Sequence, residues 1–239
     1  MYRKLIKVLR REGLAETIRR ASAELRRRFR QPPVYEAEWD AQHGVETARF
    51  VWLDTVKVGG NNDVYGTHYQ PIRSDLFHNM IGSLPLAHEQ FTFVDIGSGK
   101  GRALMLAQAY PFKEIVGVEF SENLCAVARQ NFVHYCGPVV CHHISCVCLD
   151  AVEYEFPRGA FILYLYNPFE APVLTRVLAN LQKDLCHDPR EVWVAYYFPR
   201  ERQCFENQNF LTRVQGCEAF EIYHHGEPTS RRLSAAASR

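Results

Sequence analysis

A chain of 239 residues, 47% hydrophobic and 13% aromatic, is long enough for one full α/β domain plus an extension and too apolar to be a disordered segment. No stretch approaches the ~20 apolar residues of a membrane span, and no apolar run follows the N-terminal charges as a signal peptide requires. The net charge is only +1, yet residues 1–30 hold eleven Lys or Arg against three Glu, which is +8 and leaves −7 for the remainder.

That basic segment reads as helix. Leu14, Ile18, Ala21, Leu25 and Phe29 recur at spacings of three and four, on one face, while Arg19, Arg20, Arg26, Arg27 and Arg28 lie mostly around the rest. Pro32-Pro33 ends it. Residues 1–33 are therefore taken as a basic helical extension, and residues 34–239 as the globular domain. The extension suits packing on the domain, a dimer contact, or a tether to an anionic partner or membrane surface.

Residues 34–90 form a lead-in. Phe50 to Val58 is partly extended, Gly59-Gly60-Asn61-Asn62 is a turn, and Ser74-Asp75 can cap a short helix carrying Leu76, Met80 and Leu84. Between them stands an aromatic, glycine and proline mixture, Tyr65-Gly66-Thr67-His68-Tyr69-Gln70-Pro71.

The most informative run follows: Phe93-Val94-Asp95-Ile96-Gly97-Ser98-Gly99-Lys100-Gly101-Arg102, then a second apolar run, Ile115-Val116-Gly117-Val118, ending on Glu119. A strand that opens through three alternate glycines into a helix brings backbone N–H groups and the positive end of a helix dipole to a ligand. If the second strand lies beside the first, Glu119 can accept both hydroxyls of a ribose. The spacing is not the G-x-G-x-x-G of a dinucleotide site, and Asp95 would repel a pyrophosphate and suit a cation. Gly101 stands where a P-loop needs a magnesium-binding hydroxyl, so a triphosphate site is the weaker reading.

At this point the chain resembles the class I S-adenosylmethionine-dependent methyltransferases, whose first motif is an acid, one residue and G-x-G-x-G, followed by an acid at the end of the second strand. Asp95, Gly97, Gly99, Gly101 and Glu119 match position by position. The resemblance continues to Asp150, where relatives place an acid or amide against the adenine amino group, and to Asn167-Pro168-Phe169. The latter occupies the place of the [DN]-P-P-[YFW] run of amino-group methyltransferases, with one proline missing. It also implies that Tyr69 lies near the methionine end of the cofactor, where a ring or hydroxyl can meet the sulfonium. The expected fold is a doubly wound, mainly parallel α/β sheet, which the resemblance extends to seven strands with an antiparallel hairpin at the end.

Eight cysteines include no C-x-x-C pair. The cluster Cys141-His142-His143-Ile144-Ser145-Cys146-Val147-Cys148 falls where the third strand should run, and reads as core cysteines rather than a metal site. Cysteine usage points to a reducing cytoplasm. The expected activity is methyl transfer from S-adenosyl-L-methionine to a nitrogen on a small molecule, protein side chain or nucleobase. An O-methyltransferase and a non-catalytic cofactor-binding module of the same fold are the alternatives. Nucleic acid is the less supported acceptor, because the domain is net acidic. Asn167 is expected to accept N–H hydrogens of the acceptor, and Phe169 to wall it.

Overall fold

In a computed structural model of the chain, the described residues are 34–52 and 65–227, with Leu14 and Ile18 alone before them. Most of the N-terminal extension, the turn at 59–62 and the C-terminal tail lie outside these residues. Leu14 and Ile18 are helical and stand 65% and 58% exposed.

Seven strands make one sheet in the order β3-β2-β1-β4-β5-β7-β6. They are β1 (Thr92–Ile96), β2 (Glu114–Glu119), β3 (Ile144–Cys148), β4 (Phe161–Tyr166), β5 (Val192–Tyr197), β6 (Thr212–Gly216) and β7 (Phe220–His225). The first five pair in parallel, and β7 joins β5 and β6 antiparallel. The central strands read as unbroken apolar runs because helices cover both faces, so neither set of alternate side chains meets water. The edges differ. All of β6 is exposed, and β3 buries only Cys146 fully.

Alternation along the strands sorts the core into two layers. Val94, Ile96, Leu163, Leu165, Val194 and Tyr196 pack against α5 (Ala171–His187), whose buried Val173, Leu174, Val177, Leu178, Leu181 and Leu185 follow helical spacing. Phe93, Ile162, Tyr164, Trp193 and Ala195 face α2 (Ser74–Gly82) and α3 (Arg102–Ala107). Beside α3 lies α4 (Glu122–His134), its start fixed by Ser121, whose hydroxyl accepts the Leu124 N–H at 3.4 Å. A short α6 (Gln203–Glu206) follows β5.

Two expectations are corrected here. Ser74 does not cap α2: Arg73 holds the cap position, and the Ser74 N–H and hydroxyl instead donate to Glu36 at 3.2 and 3.3 Å. The carboxylate serving that helix start comes from 38 residues upstream. The helix after the glycine turn is also only six residues long, so its dipole is a minor contributor.

The lead-in lies across the carboxyl ends of the central strands. Helix α1 (Ala37–His43) carries Asp40, which accepts from the backbone N–H groups of Thr47 and Ala48 and from the Thr47 hydroxyl. Val51 and Tyr69 exchange backbone hydrogen bonds of 3.1 and 3.0 Å, and Gly66 bridges Phe169. Residues far apart in sequence thereby close over the sheet where a doubly wound fold binds its ligands.

Candidate cofactor and acceptor site

A cavity of about 260 Å³ opens at this place. Of the residues predicted from sequence, Asp95, Gly97, Gly99, Glu119, Asp150, Tyr69, Asn167, Pro168 and Phe169 line it. Gly101 does not. It is the left-handed cap of α3 (φ 82°), packed on Phe132 and Ala128.

Two glycines are required by what lies on them. A Cβ on Gly97 (φ 83°) would stand 2.4 Å from Cβ of Pro168, and one on Gly99 (φ 55°) would stand 2.2 Å from the Tyr69 ring. The glycine turn is therefore the floor on which Pro168 and Tyr69 rest. Tyr69 turns its hydroxyl to the Thr47 carbonyl at 2.9 Å, which leaves only the ring for the cavity and corrects the expectation of a hydroxyl near the sulfonium.

Glu119 ends β2 with both carboxylate oxygens in use: Oε2 accepts from the Gly99 N–H and Oε1 from the Ser121 N–H, each at 2.9 Å. Burial lifts its pKa to about 7, against the lowering effect of those donors. With the Phe120 N–H also acting on it, the carboxylate keeps acceptor capacity for a ribose hydroxyl. Asp95, two residues before the first glycine and 3% exposed, is held well above the usual carboxylate range by burial and by Glu119. It suits a cationic ligand group, which would restore its charge. Asp150 caps the turn Ala151–Glu153, its Oδ1 accepting the Val152 N–H at 3.1 Å, beside Leu149 and Ala151 on the cavity wall.

At the other end, Asn167 follows β4 with a left-handed backbone (φ 43°), rare for a residue with a side chain, and Phe198 after β5 is left-handed too (φ 51°). Both line the cavity. Asn167 and Pro168 are fixed by three hydrogen bonds. The Asn167 carbonyl accepts from the Thr67 hydroxyl at 2.7 Å, the Pro168 carbonyl accepts from the Thr67 N–H at 3.0 Å, and Asn167 Oδ1 accepts from the Tyr196 hydroxyl at 3.3 Å. The oxygens expected to receive the acceptor's hydrogens thus already hold one protein donor each.

Sequence reading passed over Lys100 and Arg102, the cations inside the glycine motif. Lys100, with a side chain 4% exposed, pairs with Glu46 at 2.6 Å. Arg102 is 2% exposed at its side chain, pairs with Glu36 at 2.5 Å and Asp40 at 3.1 Å, and stacks over Trp39 at 4.1 Å. Both hold the lead-in onto the cofactor turn, with no local signal to find them by. Glu36 at the N-cap of α1 and Asp40 within it supply the carboxylates for Arg102.

Residues 93–186 match the family model described as a methyltransferase domain. Among solved structures, a chain titled a predicted N6-adenine-specific DNA methylase of Listeria monocytogenes is similar at a TM-score of 0.50 and 9% identity, over 66% of this chain and 52% of that one. An RNA methyltransferase of Salinibacter ruber, solved with S-adenosyl-L-homocysteine, gives a TM-score of 0.44 and 18% identity over 67% and 95%. A search of curated protein sequences finds no significant match. The stretch from β1 through most of α5 is thus similar to a methyltransferase domain, and the seven-stranded sheet is of the fold these enzymes share. The residues present fit S-adenosyl-L-methionine: an acid for a ribose at Glu119 and a buried acid for a cation at Asp95, in a cavity bordered by the glycine turn.

Proposed function

We propose that the chain transfers the cofactor's methyl group to a nitrogen atom bound against Asn167, Pro168 and Phe169. The bound cofactor supplies an electrophilic methyl on a good leaving group, so the protein has to align the nucleophile and exclude water. Alignment alone is worth ~7–11 kcal/mol. The observation that carries this reading is Asn167 at the cavity edge, left-handed and held through both its carbonyl and its Oδ1. Its Oδ1 and the Pro168 carbonyl each keep a lone pair for an acceptor N–H. Phe169, 7% exposed, and Phe198 offer apolar walls. An alkylamine would first have to give up a proton, since its pKa lies near ~10.4.

A transfer to oxygen is the second reading, and one observation favours it. Tyr196 accepts the Glu201 N–H at 3.2 Å, so its own proton goes to Asn167 Oδ1, and the Asn167 amide N–H groups have no protein partner among the described residues. An amide donor suits an oxygen acceptor.

Small molecules, protein side chains and nucleobases stay open as carriers of the acceptor atom. The nucleic-acid methylases among the structural neighbours share the fold, while the −7 charge outside the N-terminal segment argues against a duplex-reading surface. The test is labelled-methyl transfer into an extract of cells lacking this protein. Asn167→Ala should lower incorporation by about 10²-fold, as expected for a misplaced nucleophile, with S-adenosylhomocysteine affinity within twofold of wild type. Full incorporation by the variant would end the role proposed for Asn167. Whether the label sits on nitrogen or oxygen in the product decides between the readings.

A further inference from the structure

On the cavity wall away from Glu119, one side chain is left unsatisfied. Tyr164 stands in the middle of β4, 1% exposed, its ring against Phe77 and Phe93 at 5.7 Å each. Its hydroxyl is buried and has no hydrogen-bond partner among the described residues, yet the residue lines the cavity. A buried hydroxyl without a partner costs stability and is uncommon in folded proteins, so a tyrosine kept where phenylalanine would pack as well points to a ligand.

Its neighbours say which ligand. In the sheet register Tyr164 lies beside Asp95, on the same face, with Gly117 and Ala195 as the next residues of that row. Neither of these carries a polar side chain. No side-chain donor or cation among the described residues pairs with Asp95. One row of the sheet thus sets an unpartnered donor beside an acid. An α-amino acid presents the complement, a carboxylate and an ammonium on one carbon.

We propose that Tyr164 donates its phenolic hydrogen to the carboxylate of the cofactor's amino-acid half, with Asp95 receiving the ammonium. The assignment rests on S-adenosyl-L-methionine being the cofactor. It makes Tyr164 a binding residue that discriminates the full cofactor from adenosine fragments that lack the amino acid.

The test is Tyr164→Phe, which removes one oxygen atom. Thermal unfolding of the ligand-free chain is measured, and calorimetric titration is run with S-adenosylhomocysteine and with 5′-methylthioadenosine, which keeps the nucleoside and thioether but has no amino-acid half. The expected result is an unfolding temperature equal to or above wild type, a Kd for S-adenosylhomocysteine raised at least tenfold, and methylthioadenosine binding unchanged. Unchanged S-adenosylhomocysteine affinity, or equal weakening of both ligands, would overturn the proposal. A variant that unfolds would overturn it as well, since the hydroxyl would then be structural. Failure of the wild type to bind S-adenosylhomocysteine would instead remove the cofactor reading on which the proposal stands.

Discussion

Glu119 has two tasks that pull its protonation in opposite directions. The Gly99 and Ser121 N–H groups, and a ribose in the proposed cofactor complex, favour the carboxylate, while burial disfavours it and wins, at a pKa of about 7 against an ordinary 4.5. A raised acid pKa means that the folded state binds the proton more tightly than the unfolded one. Its stabilising contribution is complete below pH 4.5 and is lost as pH rises through 7, a change on the order of 3 kcal/mol. Denaturant unfolding of ligand-free wild type and Glu119→Gln from pH 4 to 8.5 should therefore diverge, wild type losing ground to the variant as pH rises. Parallel profiles would contradict the assignment. Affinity for S-adenosylhomocysteine runs the other way, rising with pH as the carboxylate forms. At Gly99, alanine would place its Cβ inside the Tyr69 ring at a left-handed backbone position, and is expected to cost about 2–4 kcal/mol in unfolding free energy together with cofactor affinity. A stability loss below about 0.5 kcal/mol would show that Tyr69 is not seated as described.

At the scale of elements, the lead-in is the part the sequence concealed. The glycine motif, Glu119 and the alternation of strands and helices were legible because each is a local pattern: a spacing, a periodicity, or a cap such as Ser121 before α4. Arg102 and Asp40 are 62 residues apart, and nothing near either one announces the other. The same holds for Glu36 serving the start of α2 and for Tyr196 holding Asn167. The motif glycines were read as space for a ligand, whereas the space above Gly97 and Gly99 is shared with Pro168 and Tyr69, which long-range packing alone brings there. Arg102→Met keeps the volume and removes the charge, leaving Asp40 and Glu36 without their counter-ion. The expected cost is about 3–5 kcal/mol, the usual result of breaking one side of a buried pair. Limited proteolysis should show faster cleavage between residues 34 and 72 than in wild type. Equal cleavage rates would mean that the lead-in is held by its apolar contacts rather than by the cations of the motif.

On the scale of the whole molecule, the fold carries the cofactor chemistry and the charge distribution carries a separate statement. The sheet order puts β1 and β4 at its centre, so Asp95, Glu119 and Asn167 meet at one end of adjacent strands although 72 residues separate the first and last. No helix among the described residues is long and apolar enough to cross a membrane. The +8 segment before residue 31 stands against a −7 remainder, and Leu14 and Ile18 add exposed apolar surface there. Removing residues 1–33 should leave S-adenosylhomocysteine affinity within twofold and abolish any salt-sensitive retention on anionic liposomes or nucleic acid, such retention scaling with the number of cations engaged. Retention unchanged by the deletion would remove the tether and leave packing or a dimer contact.

The most direct test of the central claim is calorimetric titration of the full chain with S-adenosylhomocysteine, beside NADH and ATP, repeated on Glu119→Ala. Micromolar binding of S-adenosylhomocysteine alone is expected, weakened by about 1.5–3 kcal/mol in the variant through loss of charge-assisted hydrogen bonds to the ribose. Folded protein that ignores S-adenosylhomocysteine, or that binds NADH or ATP as tightly, would contradict it.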